Sequence, residues 1–311
     1  MVVVSGTKIA SEIGISRSEV WRLIQQLREL GVDIGGHPAT GYSLKAVPDL
    51  LLPGMLSPLL QGTIFSKNIH HYYKVGSTND VAMDAARGGA PEGSVFLAEQ
   101  QTAGRGRAAH TWHSARSVGI YGSAVLRPRL APADALLLSL LAGLATYAAV
   151  KDVDSRVKPD LKWPNDLLID GKKFCGILTE MHAEVTRVQY VVIGIGINVN
   201  QASFPAELQA TATSLRQTTG SEWSRVELCA ALLKSLDREY AALQADPESR
   251  REILQRFTER SSSVRGARVH VDENGGFDGV TEGLDERGFL QVRTSQGMRR
   301  VLSGTVTRQS S

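Results

Sequence analysis

Two arginines set between glycines carry the first chemical signal in this 311-residue sequence, within QTAGRGRAAHTWHS, Gln101 to Ser114. The segment offers almost nothing apolar before Trp112, so Arg105 and Arg107 have no local core to pack. One reading is a flexible cationic loop that closes over an anion, its guanidinium groups directed at phosphate or carboxylate. The other is a solvated surface turn, and the loop alone does not decide between them.

Three further clusters bear on that choice. KWPNDLLIDGKKFCGILTEM, Lys162 to Met181, reads as a hairpin that holds Lys173 at the start of a strand, a cation aimed at a buried site. Asn165 and Asp166 follow Pro164, where a turn fixes polar side chains near the strand mouth. By composition alone this is equally an ordinary hairpin with a solvated lysine. VVIGIGINVN, Val191 to Asn200, is a buried strand with Gly194 and Gly196 at alternate positions. Glycine weakens a strand, so the pair predicts that something approaches one face of the backbone closely, and a ligand is a candidate. In VGSTNDVA, Ser77, Thr78 and Asn79 are placed to cap the helix that follows. Hydroxyls and amides at a helix start also suit a neutral polar ligand or an anion.

The elements that must position these residues follow from periodicity. From about Thr63 to Ser261, strands (SVFLAEQ, VGIYGSAVL, CGILTEM, VQYVVIGIGINVN) alternate with helices (TNDVAMDAARGG, SRVELCAALLKSLDREYAAL), the pattern of a mixed α/β domain. After SSSVRGARV the helices stop, and short strands with glycine turns predict a small β-barrel. At the other end, Ser5 and Ser16 are placed to cap two helices separated by Gly14, with Val20, Ile24, Leu27 and Leu30 at helical spacing on the second. This is the helix-turn-helix signature, and VDIGGHPATGYSL behind it reads as a wing. Its alternative is a helical hairpin with no DNA role. The predicted division is a helix-turn-helix over 1–47, a linker over 48–62, the central domain over 63–262 and the barrel over 263–311.

Composition narrows the partners. Lys and Arg total 35 against 32 Asp and Glu, a formal charge of +3, so any polyanion must be met locally and not by the whole surface. Cys175 and Cys229 are too few for a disulfide framework and lack metal-ligand spacing, which points to a reducing compartment. The longest apolar run, Ala135 to Val150, is shorter than the roughly 20 residues of a membrane span and reads as a buried helix. No secretory signal opens the chain, so the expected location is the cytoplasm.

Taken in order, STN, QTAGRGR, KWPNDLL…GKKFCGILTE and GIGINVN make the chain resemble a biotin protein ligase. With the helix-turn-helix in front and the barrel behind, it is similar to the bifunctional bacterial type that also represses biotin synthesis genes. The resemblance implies an α+β fold: a winged helix-turn-helix, a mixed α/β domain of the class II aminoacyl-tRNA synthetase/biotin ligase type, and a small SH3-like β-barrel. It implies biotin and ATP as substrates, Mg²⁺ brought by ATP, and the biotin carboxyl carrier protein of acetyl-CoA carboxylase as acceptor. A homodimer through a sheet edge and operator DNA are further implied partners. Carried over residue by residue, Lys173, Arg107, Arg105 and Asp166 would be catalytic. Ser77, Thr78, Asn79, Gln101, Gly104, Arg105, Gly106, Arg107, Trp112, Lys173 and Gly176 would hold biotin, and Arg105, Arg107, Asn165, Lys173 and Asn198 the adenylate. Residues 198–215 match a loop that covers adenine, and Ser16, Arg17 and Arg22 would face DNA.

Two departures qualify these expectations. The family's loop usually continues Gly-Arg-Gly-Arg-Arg-Gly-Arg, whereas Arg107 is followed here by Ala108, Ala109 and His110, so a less positive, stiffer loop and leakier adenylate retention are expected. Winged helix-turn-helix domains usually carry a helix before the pair, and only MVVV precedes Ser5. The expectation is that Ile9, Ile13, Val20, Ile24 and Leu27 lie partly uncovered and that DNA binding is weak or absent. Two other activities compete with the leading one: a lipoate ligase, which shares the architecture, and a biotin-sensing repressor that has lost catalysis.

Overall fold

A computed structural model of the chain describes residues 3–29, 32–37, 40–46, 49–107, 110–246, 248–273, 275–302 and 304–309. They form two compact units that divide between Leu50 and Leu51.

The first unit begins with α1 (Gly6–Ile13) and α2 (Arg17–Glu29), followed by an antiparallel pair, β1 (Ile34–His37) and β2 (Gly41–Leu44). Its caps are those the sequence predicts. Ser5 Oγ accepts from the Lys8 amide at 3.1 Å, Ser16 Oγ from the Glu19 amide at 3.1 Å, and Gly14 ends α1 in the left-handed region. Ala10, Val20 and Ile24 make a small core. The expectation of five uncovered apolar side chains therefore holds only in part: Ile13 is 55% exposed, but Val20 and Ile24 are buried, and Ile9 and Leu27 are half-buried. Leu30, the expected end of the helix, lies outside the described residues. Arg28 is committed within the unit, donating from Nε to the Ile34 carbonyl at 2.9 Å, so it ties helix to wing.

The second unit opens with α3 (Pro53–Leu56), β3 (Ile69–Tyr72), α4 (Thr78–Arg87), β4 (Val95–Ala98), β5 (Gly119–Leu126) and α5 (Leu136–Val153). It continues with β6 (Asp160–Lys162), β7 (Asp166–Ile169), β8 (Lys172–Ala183), β9 (Val188–Asn198), α6 (Leu215–Thr219), α7 (Arg225–Ala245) and α8 (Ser249–Glu259). The strands β10 (Arg265–Asp272), β11 (Phe277–Leu284), β12 (Leu290–Thr294), β13 (Gly297–Val301) and β14 (Thr305–Arg308) close the unit. The stretch 51–62 differs from the linker expected there. Leu51, Leu56 and Leu60 are fully buried in the main core, so it packs as part of this unit.

A seven-stranded sheet runs in the order β3-β4-β5-β9-β8-β7-β6, antiparallel except for β3 against β4. Helix α5 is apolar on all sides, and twelve of its eighteen residues are buried, as the run from Ala135 predicts. It lies with α7 against one face of the sheet, α8 packs on α5 and α7, and α4 covers part of the other face. The C-terminal strands form a second sheet, β13-β12-β11-β10-β14, where the small barrel is expected. Its inward side chains, among them Val269, Val271, Leu290, Val292 and Val301, belong to the same core as α5 and α7.

Candidate functional site

Alternation along β9 decides what each face of the large sheet carries. Val191, Ile193, Ile195 and Ile197 point to the helical core, which puts Gly194 and Gly196 on the opposite face. In register, Gly196 lies beside Gly176 of β8, and Gly194 beside Ser123 of β5. The close approach expected at these glycines is real, but the approaching groups are the protein's own. A Cβ at Gly196 would sit 2.6 Å from the Trp112 indole, one at Gly176 2.9 Å from the same ring, and one at Gly194 2.8 Å from Asn79 Cγ. The bare strip thus seats two large side chains beside a cavity of about 670 Å³.

At one end of the cavity the groups are neutral and tightly bonded. Ser77 occupies the cap position of α4 but makes no capping bond; Gln101 supplies it instead, its Oε1 accepting from the Thr78 amide at 2.8 Å and the Thr78 hydroxyl at 3.1 Å. Gln101 Nε2 donates to Ser114 Oγ at 3.0 Å. The Ser123 hydroxyl lies 2.8 Å from Thr78 Oγ1 and 2.6 Å from Asn79 Oδ1, while Asn79 Nδ2 donates to the Leu178 carbonyl at 3.2 Å and to Glu180 at 2.8 Å. Ser77, Thr78 and Asn79 are all buried, and the Ser77 hydroxyl makes no hydrogen bond among the described residues.

The other end is cationic. An Asp170-Gly171 turn, both residues at positive φ, joins β7 to β8 and places Lys173 one residue into the strand. Its Nζ stands 2.7 Å from Asp166 Oδ1, an ion pair and not a well-directed hydrogen bond, and 5.4 Å from the Trp112 ring centroid. The main chain of Lys173 is fixed on both sides, its amide donating to the Thr211 carbonyl at 2.8 Å and its carbonyl accepting from the Thr213 amide at 3.0 Å. The loop matched to the adenine cover is thereby stitched to the lysine. Arg107 is half-buried, and its guanidinium makes no ion pair or hydrogen bond among the described residues. Burial pushes its pKa down, and the Asp166 charge offsets part of that.

Arg105 lines the same cavity but is engaged by carboxylates. Its Nη2 lies 2.5 Å from Asp80 and 3.0 Å from Glu180, and its Nη1 3.1 Å from Glu180. Burial works against its charge, but these two partners prevail and raise its pKa. The loop is held as a small hairpin, with the Gly106 amide donating to the His110 carbonyl at 2.7 Å and the Trp112 amide to the Gly104 carbonyl at 2.8 Å. Ala108 and Ala109, on which the expected stiffening rests, lie outside the described residues; His110 lines the cavity.

Most sequence-derived candidates converge: Ser77, Thr78, Asn79, Gln101, Arg105, Gly106, Arg107, Trp112, Asn165, Asp166, Lys173 and Gly176 all line the cavity. Two do not. Asn198 is buried, with Nδ2 donating to the Thr213 carbonyl at 3.1 Å and Oδ1 accepting from Gln201 at 3.1 Å, so it braces the covering loop from within. Gly104 is buried against the Trp112 carbonyl, where a Cβ would sit 2.7 Å away, and shapes the loop from behind. Asn165 uses its side chain for the Ile177 carbonyl at 2.8 Å. Sequence reasoning missed Tyr121, Lys162 and a wall formed by Asp272, Thr305 and Val306 of the C-terminal strands. Lys162 opens a quoted motif and was legible as a cation; the C-terminal wall carries no local signal. Trp112 Nε1 is buried with no hydrogen-bond partner among the described residues.

Comparison with known proteins gives a consistent result. Residues 73–198 match the Biotin/lipoate A/B protein ligase family, residues 266–307 the Biotin protein ligase C terminal domain, and residues 2–43 an HTH domain. The chain is 35% identical over 306 residues to the bifunctional ligase/repressor BirA of Bacillus subtilis, covering 97% of this chain and 93% of that one. It is 35% identical over 224 residues to the biotin--[acetyl-CoA-carboxylase] ligase of Mycobacterium tuberculosis, 70% of this chain and 80% of that protein. Among solved structures, the biotin protein ligase of Aquifex aeolicus in complex with biotin and ATP superposes with a TM-score of 0.67 at 29% identity, covering 79% of this chain and 100% of that one.

Proposed function

The chain belongs to the biotin/lipoate A/B protein ligase family, and from that premise we propose that it is an ATP-dependent biotin ligase. It joins biotin to ATP as biotinyl-5′-AMP with release of pyrophosphate, then passes the biotinyl group to a lysine of the biotin carboxyl carrier protein of acetyl-CoA carboxylase. The observation that carries this reading is the polarity of the cavity: a cluster of uncharged hydroxyl and amide side chains at one end and two separate cations, Lys173 and Arg107, at the other. A neutral ureido head suits the first and an acyl-phosphate the second.

In the first step a carboxylate oxygen of biotin attacks the α-phosphorus of ATP, and the bond to the pyrophosphate oxygen breaks. Lys173 and Arg107 offset the repulsion between the two anions and the charge that develops between them. Trp112, seated on Gly176 and Gly196, gives the apolar side against which the biotin tail packs. In the second step the carrier lysine, as the free amine, attacks the acyl carbon, and AMP leaves with the bonding pair. ATP would bring Mg²⁺, held mainly by phosphates and water, to supply further screening of the phosphates.

The helix-turn-helix unit extends the proposal to biotin-responsive repression. Ser16 caps its second helix and Arg17 and Arg22 belong to it, with Arg17 exposed and Arg22 paired to Glu19. With Val20 and Ile24 buried, that helix is anchored better than the sequence implied, and operator DNA becomes a proposed partner, as does a second copy of the chain. A cytoplasmic reaction is proposed with it, on the low cysteine content of the sequence.

The test is incubation of the full chain with ATP, Mg²⁺ and a carrier domain, in parallel with biotin and with lipoate. Addition of one biotinyl mass to the carrier, dependent on ATP, is the expected result. A lipoyl mass in preference, or biotin bound with no transfer, would overturn the proposal in favour of a lipoate ligase or an inactive sensor.

A further inference from the structure

The loop's two arginines have different surroundings. Arg107 has no carboxylate bonded to it among the described residues, while Arg105 lies between two that come from distant parts of the chain, Asp80 on α4 and Glu180 on β8. Glu180 receives both arms of the guanidinium fork, at 3.1 and 3.0 Å. A single cation between two anions has no charge to spare for a phosphate, so Arg105 is poorly suited to the role expected of it.

Glu180 does a second thing. Its Oε2 also accepts from Asn79 Nδ2 at 2.8 Å. An ionised carboxylate can only accept, so together with the Leu178 carbonyl, the longer acceptor at 3.2 Å, it fixes which end of the Asn79 amide faces it. The opposite end, Oδ1, then takes the Ser123 hydroxyl at 2.6 Å, and that hydroxyl reaches Thr78, whose own hydroxyl donates to Gln101. We infer that Asp80 and Glu180 form a seat for Arg105 that latches the loop, and that Glu180 is a positioning residue which orients Asn79 and, through it, the polar cluster that receives the neutral head of the substrate. The identity of that substrate rests on the function proposed above; the latch does not.

The seat makes two predictions that separate its partners. Both carboxylates hold the loop, but only Glu180 touches Asn79. In Glu180→Ala the Arg105 fork and the Asn79 amide both lose this acceptor, and Asn79 Nδ2 is left with the Leu178 carbonyl. In Asp80→Asn the link between Glu180 and Asn79 is untouched.

The first measurement is trypsin nicking of the ligand-free full-length chain, with cuts after Arg105 and Arg107 identified by mass. Both variants should be nicked about fivefold faster than wild type or more, since cleavage follows local opening. Unchanged nicking in both would overturn the latch. The second is biotin-dependent exchange of pyrophosphate into ATP. Glu180→Ala should raise KM for biotin about tenfold with kcat changed less than roughly threefold, and Asp80→Asn should leave KM within roughly twofold. An unchanged KM in Glu180→Ala, or equal rises in the two variants, would overturn the positioning role. Absence of exchange in the wild-type chain would overturn the proposed function, and the head-positioning role with it, while the nicking result would still decide the latch.

Discussion

Removing the Lys173 ammonium should impair adenylation without unfolding the protein. The fold is protected because the main-chain bonds at 173, to Thr211 and Thr213, do not use the side chain. At an effective dielectric near 20, a unit charge about 4 Å from a developing anion contributes about 4 kcal/mol. Asp166 already stands 2.7 Å from Nζ and cancels part of this, and the side chain is 34% exposed, so we expect about 3 kcal/mol, on the order of a hundredfold in rate. Lys173→Ala also strands the Asp166 carboxylate beside the arriving anions. The double variant Lys173→Ala/Asp166→Asn should therefore recover roughly threefold to tenfold of the loss. The assay is biotin-dependent pyrophosphate exchange, with a thermal melt as the control for folding. Exchange within roughly fivefold of wild type in a folded Lys173→Ala protein would refute the electrostatic argument, and no recovery in the double variant would refute the part assigned to Asp166.

Four other outcomes are expected. Gly194→Ala puts a methyl group into the Asn79 amide, so KM for biotin should rise and stability fall by about 1–3 kcal/mol, read by exchange kinetics and a urea melt. Arg107→Gly should release biotinyl-adenylate early, visible as labelling of bystander proteins in a mixture; unchanged selectivity would remove Arg107 from retention. Burial would raise the Glu99 pKa, but His71, Arg225 and the Leu51 amide hold it near 2, below the usual 4.5, so its contribution is present above pH 4.5 and is lost as pH falls toward 2. The full loss is on the order of 3 kcal/mol, of which about 2 kcal/mol falls between pH 6 and pH 3, and urea melts at those two pH values should show it. Arg17→Ala should weaken operator binding and reduce the salt dependence by about one phosphate contact, measured by gel shift across salt concentrations.

Features governed by near neighbours in sequence were legible before the fold was seen. The caps at Ser5 and Ser16, the all-apolar α5, and the alternation that put Gly194 and Gly196 on one face of β9 each need only a few consecutive residues. What lay opposite those glycines was not legible, because Trp112 reaches Gly196 from 84 positions away and Asn79 reaches Gly194 from 115. The same holds for Arg105: its cationic character is plain in the loop, but its neutralisation by Asp80 and Glu180 depends on three separate elements meeting. Asn198 was placed near the adenylate by the family resemblance alone, and its bond to the Thr213 carbonyl depends on the backbone path of the covering loop, which no local signal gives.

The C-terminal strands bear on how the protein could be shortened or recombined. Thr305 and Val306 form part of the cavity wall, Val269, Val271 and Val292 finish the core begun by α5, and the Trp163 indole, beside Pro164 of the site, donates to the Gly288 carbonyl at 2.8 Å. A truncation at residue 262 would open the reaction chamber and bare an apolar surface in one cut. Exchanging these strands between relatives would likewise require the partner face of α5 to be exchanged with them, so the seam along which such proteins can be recombined lies between residues 50 and 51.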